Sequence, residues 1–137
     1  MVTIDDFLEP GEAEALLAAP GISTNFRRSQ AGDGVLAART SSTSWCRGGC
    51  MRDRTINAVQ DRVKDLTHVP PENAEFLQVL QYEPGQFYKT HHDQNSPRSS
   101  AWGPRMYTFF MYLSDELEGG ETRFPLLNIT VPPKKGR

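Results

Sequence analysis

The tripeptide His91-His92-Asp93 follows an alternating stretch, Phe76 to Glu83, and a Pro84-Gly85 turn. On a strand, side chains repeat every two residues, so His91 and Asp93 are expected on one side and His92 on the other. An imidazole and a carboxylate offered together, with positions left open for small molecules, make two thirds of the facial triad that holds non-heme Fe(II) in oxygenases. A second imidazole would complete such a site. The one histidine outside the tripeptide, His68, lies upstream, and the sequence runs to Arg137.

The elements that must position this pair can be read from composition and period. Residues 9–19, rich in Glu, Ala and Leu between Pro10 and Pro20, read as a short helix, with Phe7 and Leu8 packing it to the core. From Gly21 to Gly49 the composition turns to Ser, Thr, Gly, Arg and Asn, which predicts loops and short strands. Asp53 to His68 returns to helical spacing, with Ile56, Val59, Val63 and Leu66 on one stripe and Pro70-Pro71 as the stop. The period then falls to about two. Strands are expected at Phe76–Tyr82, Phe87–Asp93 and Met106–Leu113, the last apolar on both faces, with another opening at Ile129–Val131. Helices followed by short strands predict an α+β chain whose second half is a sandwich or barrel of the jelly-roll kind. The polar loop from Gln94 to Pro104 lies where a lid over the site could form.

The 137 residues are of single-domain size. A formal charge of −2 argues against a general nucleic-acid binder, which needs a basic face to neutralise phosphates. Lys134-Lys135-Gly136-Arg137 reads as a solvated turn or end. No apolar run approaches the ~20 residues of a membrane span, and the first residues show no basic region followed by an apolar one. Cys46 and Cys50 are too few for a zinc site and leave open either a short disulfide loop or two free thiols. His68 at a helix end is expected to favour the helix dipole rather than to bind metal. Asn128-Ile129-Thr130 spells a glycosylation acceptor.

The string from Leu77 through Gln78-Val79-Leu80-Gln81-Tyr82 to Tyr88 and His91-His92-Asp93, followed by Arg105, Met111 to Asp115 and Gly119-Gly120-Glu121-Thr122, resembles the catalytic domain of prolyl 4-hydroxylases, the plant and algal type especially. Arg39-Thr40-Ser41-Ser42 and Ile4 to Leu8 resemble that family too. The resemblance implies an α+β fold in which N-terminal helices pack on a double-stranded β-helix, one domain over residues 1–137. It implies a reaction that couples oxidative decarboxylation of 2-oxoglutarate to hydroxylation of peptidyl proline, with Fe(II), O2 and L-ascorbate. His91 and Asp93 then match the metal ligands. Tyr82 and Thr122 match residues that bind 2-oxoglutarate, and Arg105 matches an arginine lining the groove of a proline-rich peptide or protein substrate. Tyr82 and Thr122 are neutral donors suited to a carboxylate, and Arg105 offers a fork to peptide carbonyls. The resemblance also suggests the endoplasmic reticulum or secretory pathway.

In that family a distal histidine and a basic partner of 2-oxoglutarate follow a Pro-Lys-Lys-Gly turn, here Pro133-Lys134-Lys135-Gly136. The expectation is therefore a catalytic domain lacking its C-terminal strands, with a weakened metal site. Two other readings stand beside it. One is a non-catalytic module that keeps the proline-peptide groove around Arg105, Trp102 and Tyr107. The other is a jelly-roll protein that uses His91 and Asp93 with an unrelated metal or completes the site in a dimer.

Overall fold

Asp53 starts the longest helix through its own side chain: Oδ1 accepts the backbone N–H groups of Thr55 and Ile56 at 2.9 and 3.2 Å. These are two of the donors that a helix start otherwise leaves unpaired. In the computed structural model, which describes residues 1–30, 37–94, 105–116 and 118–137, this helix spans Arg54–Thr67 (α2). It closes where His68 enters the left-handed region (φ 56°) and donates its N–H to the Lys64 carbonyl, just ahead of Pro70. Ile56 and Val59 of the expected stripe are fully buried, Val63 is half-buried and Leu66 is exposed. The stripe is thus covered over the first half of the helix and open over the last turn.

Two units make up the described chain, Ala19–Phe109 and Met1–Ala18 with Phe110–Arg137. The first holds α2 and an antiparallel sheet of Arg27–Arg28 (β1), Ser42–Trp45 (β2) and Gln78–Gln81 (β3), in the order β1-β2-β3. β2 and β3 pair from Ser42 with Gln81 to Trp45 with Gln78. Ile22, Ile56, Val59 and Val79 are buried here, together with Cys46 and Cys50, which are joined in a disulfide. The disulfide alternative for the two cysteines is the one realised. Three buried hydroxyls are paired with one another, Ser29 Oγ lying 2.8 Å from Ser41 Oγ and 2.5 Å from Thr43 Oγ1, whereas Ser44 Oγ, also buried, has no partner among the described residues. That pairing matters because an unpaired hydroxyl taken out of water costs free energy.

The second unit holds the short helix Glu12–Ala18 (α1) and the hairpin of Thr122–Phe124 (β4) with Ile129–Val131 (β5). Phe7 and Leu8 are buried, as the sequence suggests, along with Ala13, Leu16 and Val131. The 134–137 segment is a turn, yet it is far from merely solvated. Leu8 N–H donates to the Gly136 carbonyl at 3.0 Å, while Tyr112 exchanges backbone bonds with Gly136 and Arg137. Each cation has an acid: Lys134 pairs with Asp5 and Asp6, Lys135 with Glu14, and Arg137 with Asp5. Gly136 has φ 84°, and a Cβ there would stand 3.4 Å from the Leu8 carbonyl, so glycine suits both the backbone and the close approach.

The α+β class with antiparallel sheets holds for the described residues. Two expected strands do not form. Phe87–Asp93 makes a single bridge, Arg39 with Tyr88, and then leaves the sheet. Met106–Leu113 has no ladder among the described residues; Tyr112 spends its backbone groups on the 136–137 turn instead, and Met106 and Tyr107 are 72% and 75% exposed. Alternating or apolar sequence creates a strand only where a partner offers a ladder. The expected lid, apart from Gln94, falls outside the described residues, as does Trp102.

Candidate functional site

The site grows from an interruption of the β2–β3 ladder. After the Ser42–Gln81 pair, Thr40 and Ser41 stand opposite residues 82–87 before pairing resumes at Arg39 and Tyr88. The extra residues fold into a turn over Glu83-Pro84-Gly85-Gln86, closed by Gln86 N–H to the Glu83 carbonyl at 2.9 Å. Proline at the second position and glycine at φ 83° in the third are the residues that a type II turn requires. Thr40 locks the return: its Oγ1 accepts Phe87 N–H at 2.7 Å, and its own N–H donates to the Phe87 carbonyl at 2.8 Å. Lys89 N–H still donates to the Ala38 carbonyl at 2.8 Å, and the chain beyond it leaves the sheet carrying His91 and Asp93.

His91 and Asp93 come together although their segment is not a strand. His91 Nε2 lies 3.3 Å from Asp93 Oδ1, both side chains little more than a third exposed. His91 Nδ1 is 2.8 Å from the Lys89 carbonyl, which can only accept, so Nδ1 carries the proton. Nε2 then faces the carboxylate across a gap that can take a proton or a bound cation. The separation is close to the roughly 3 Å expected between neighbouring ligands with bonds of about 2.1 Å to one divalent ion. Asp93 is held from its other side, where Thr108 Oγ1 donates to Oδ2 at 2.5 Å. Both groups thus have their outer atoms bonded, the arrangement that orients metal ligands where a metal is held. The pair therefore fits a metal of the ferrous kind as two of its ligands. Among the described residues no third His, Cys, Asp or Glu joins them. His92, expected to pack an opposite strand face, is exposed in this irregular segment.

A stack supports the imidazole. The Tyr88 ring lies 3.6 Å from the His91 ring, 17° from parallel, and the Arg39 guanidinium covers the Tyr88 ring at 4.6 Å. Arg39 is buried and is anchored by bonds from Nε to Ser41 Oγ (3.3 Å) and from Nη1 to the Gln30 carbonyl (3.2 Å).

Arg105 reaches the same region. Its Nε and Nη2 grip both oxygens of Glu75, and the Asp93 charge acts on both partners. The bond from Arg105 holds the Glu75 carboxyl below its ordinary range; the same bond raises Arg105. Tyr82 stands at the exit of β3 with a side chain 42% exposed. Thr122 belongs to the other unit, where its Oγ1 lies 2.7 Å from the Tyr112 hydroxyl, which also donates to the Val131 carbonyl.

Residues 77–137 match the model of the 2OG-Fe(II) oxygenase superfamily. The match covers somewhat less than half of the chain. It is also similar to named plant enzymes of Arabidopsis thaliana. It is 39% identical to Prolyl 4-hydroxylase 1 across 99% of its own length and 55% of that protein. It is 38% identical to Prolyl 4-hydroxylase 5 across 96% of its length and 47% of that protein, and 45% identical to Probable prolyl 4-hydroxylase 3 across 66% and 32%. The chain thus spans about half, or less, of the length of these relatives. The superfamily match takes in Tyr82, His91, Asp93, Arg105 and Thr122, so every expected site residue lies within the matched segment.

Sequence reasoning missed four participants around the His91–Asp93 pair. Thr108 and Glu75 carry no local signal, since each meets its partner only through the fold. Lys89 contributes a backbone carbonyl, which side-chain chemistry cannot announce. Tyr88 could have been found, because it stands three residues before His91 in the quoted motif.

Proposed function

We propose that this chain carries the catalytic portion of an Fe(II)- and 2-oxoglutarate-dependent dioxygenase that hydroxylates peptidyl proline at C4, built around a double-stranded β-helix. The observation that carries the reading is the opposition of His91 Nε2 and Asp93 Oδ1 at 3.3 Å, with Lys89 and Thr108 holding their outer atoms. The proline substrate class is supported by the names of the similar proteins.

In this reading His91 and Asp93 hold the ferrous ion. When bound, the ion lets O2 oxidise 2-oxoglutarate and peptide together, and L-ascorbate keeps it reduced. Lys89 fixes the His91 tautomer so that Nε2 stays free to ligate, and Thr108 turns Asp93 so that Oδ1 faces the same point. Tyr82 and Thr122 supply neutral hydroxyl donors to 2-oxoglutarate, binding a carboxylate without adding a full charge. Arg105, with Nε and Nη2 engaged by Glu75, offers its remaining Nη1 to the carbonyls of a proline-rich peptide.

Titrating the purified chain with Co(II) as a spectroscopic stand-in for Fe(II) tests the site. Binding is expected, with a spectral change on adding 2-oxoglutarate and loss of both in His91→Ala and Asp93→Ala. Incubation with Fe(II), 2-oxoglutarate, ascorbate and a proline-rich peptide tests the reaction by the mass of one added oxygen. Peptide binding indifferent to chelators, with no metal uptake, would instead establish the non-catalytic module.

A further inference from the structure

Asn128-Ile129-Thr130 plays no part in the oxygenase site, yet its surroundings are those of a modified residue. Asn128 sits in the turn between β4 and β5, in the left-handed region at φ 52°, which asparagine tolerates better than most residues. Its backbone N–H is used in the turn, donating to the Pro125 carbonyl at 3.2 Å. Its side chain is exposed and makes no hydrogen bond among the described residues. Thr130, two positions on, is exposed as well, opposite Arg123 on the hairpin, and its hydroxyl is likewise unengaged among the described residues. The neighbouring Leu126 is fully exposed, so the backbone around the turn stands clear of its own unit.

The second observation comes from the other unit. Cys46 and Cys50 are bonded to each other. Disulfides persist in oxidising compartments such as the lumen of the secretory pathway and are rare where glutathione keeps thiols reduced. Asparagine-linked glycosylation of an Asn-x-Thr acceptor takes place in that same lumen and selects surface loops. An accessible acceptor and a paired cysteine loop thus call for one compartment.

We propose that Asn128 is an N-glycosylation site. In the transfer, Nδ2 of Asn128 forms a bond to C1 of an N-acetylglucosamine residue carried on a lipid pyrophosphate. The bond from C1 to the pyrophosphate breaks, the lipid pyrophosphate leaves with the electron pair, and Nδ2 loses one proton to base. No atom changes oxidation state, and the Thr130 hydroxyl is the element the transferring enzyme recognises.

The test uses protein recovered from eukaryotic cells that express it. Trypsin releases Phe124–Lys134 as one peptide, and peptide N-glycosidase acting in heavy-oxygen water converts a glycosylated Asn128 to aspartate carrying the label. The same digest, unreduced, shows whether the Cys46 and Cys50 peptides remain linked. The expected result is a labelled Asn128 and a linked cysteine pair. Thr130→Ala should abolish the label while preserving the linked pair, which shows that the variant still folds and reaches the same lumen. Thr130→Ser should retain the label. Unlabelled Asn128 beside an intact disulfide overturns the site, and unlabelled Asn128 with free thiols overturns the compartment argument with it.

Discussion

Tyr88 and His91 lie face to face, ring centroids 3.6 Å apart. Stacked aromatic pairs contribute ~0.5–1.5 kcal/mol beyond their area. Tyr88→Leu is therefore expected to weaken metal binding about 2- to 13-fold by loosening the imidazole, as that energy range implies. Tyr88→Phe, which keeps the ring, should bind as the parent does. Competition with a chromophoric chelator measures both, and equal losses in the two variants would refute the stacking role.

In the proposed site Thr108 would act on the metal through Asp93. Thr108→Val removes the donor to Oδ2 with little change in volume and should lower metal affinity by ~10–100-fold, the usual cost of losing an outer partner of a ligand. Thr108→Ser should recover most of it. An unchanged affinity in the valine variant would show that Asp93 needs no such support.

The 134–137 turn predicts a particular response to acid. Arg137, then Lys134, hold the Asp5 carboxyl below its ordinary range, and Lys135 does the same for Glu14. A depressed carboxyl contributes stability that is complete above its unfolded value and is lost as the pH falls through the folded one. The contacts should therefore survive down to about pH 4 and fail below it, given ordinary carboxyl values near 4. Because Asp5 and Glu14 are open to solvent, salt should weaken the contacts at neutral pH as well. Carboxyl carbon shifts of Asp5 and Glu14, followed by NMR across pH and salt, check both effects; midpoints at or above the ordinary values would contradict the pairing.

Helix α2 supplies a stability test. Ile56→Ala empties a fully buried position and should cost ~2–5 kcal/mol. Asp53→Ala removes the bonds to Thr55 and Ile56 and should cost ~0.5–2 kcal/mol. Leu66→Ala, on the exposed end of the stripe, should change the denaturant midpoint least. A different order of the three would contradict the burial described for this helix.

What the sequence disclosed depended on how local each cause was. Asp53, Pro70 and the spacing of Ile56 and Val59 mark α2 because capping and amphipathic period act within a few residues. The same is true of β3 and of the meeting of His91 with Asp93, which are two residues apart. Strand geometry is not what brings them together, since no strand forms there; the Lys89 carbonyl and the Tyr88 stack hold His91 instead. Strands at 87–93 and 106–113 were misread because alternation records which side chains are apolar, not whether a neighbour is present to pair with. Arg105 was anticipated near the site, but its grip on Glu75, thirty residues away, is set by the fold.

The bonds joining Leu8 to Gly136 and Asp5 to Arg137 bridge nearly the whole sequence, the latter pair being 132 positions apart. During synthesis at ~5–20 residues per second, Ala19–Phe109 can acquire its contacts while the opening segment still waits for its partners to leave the ribosome. Phe7 and Leu8 would meanwhile be uncovered. The segment around Phe7 and Leu8 is thus made well before the turn that secures it.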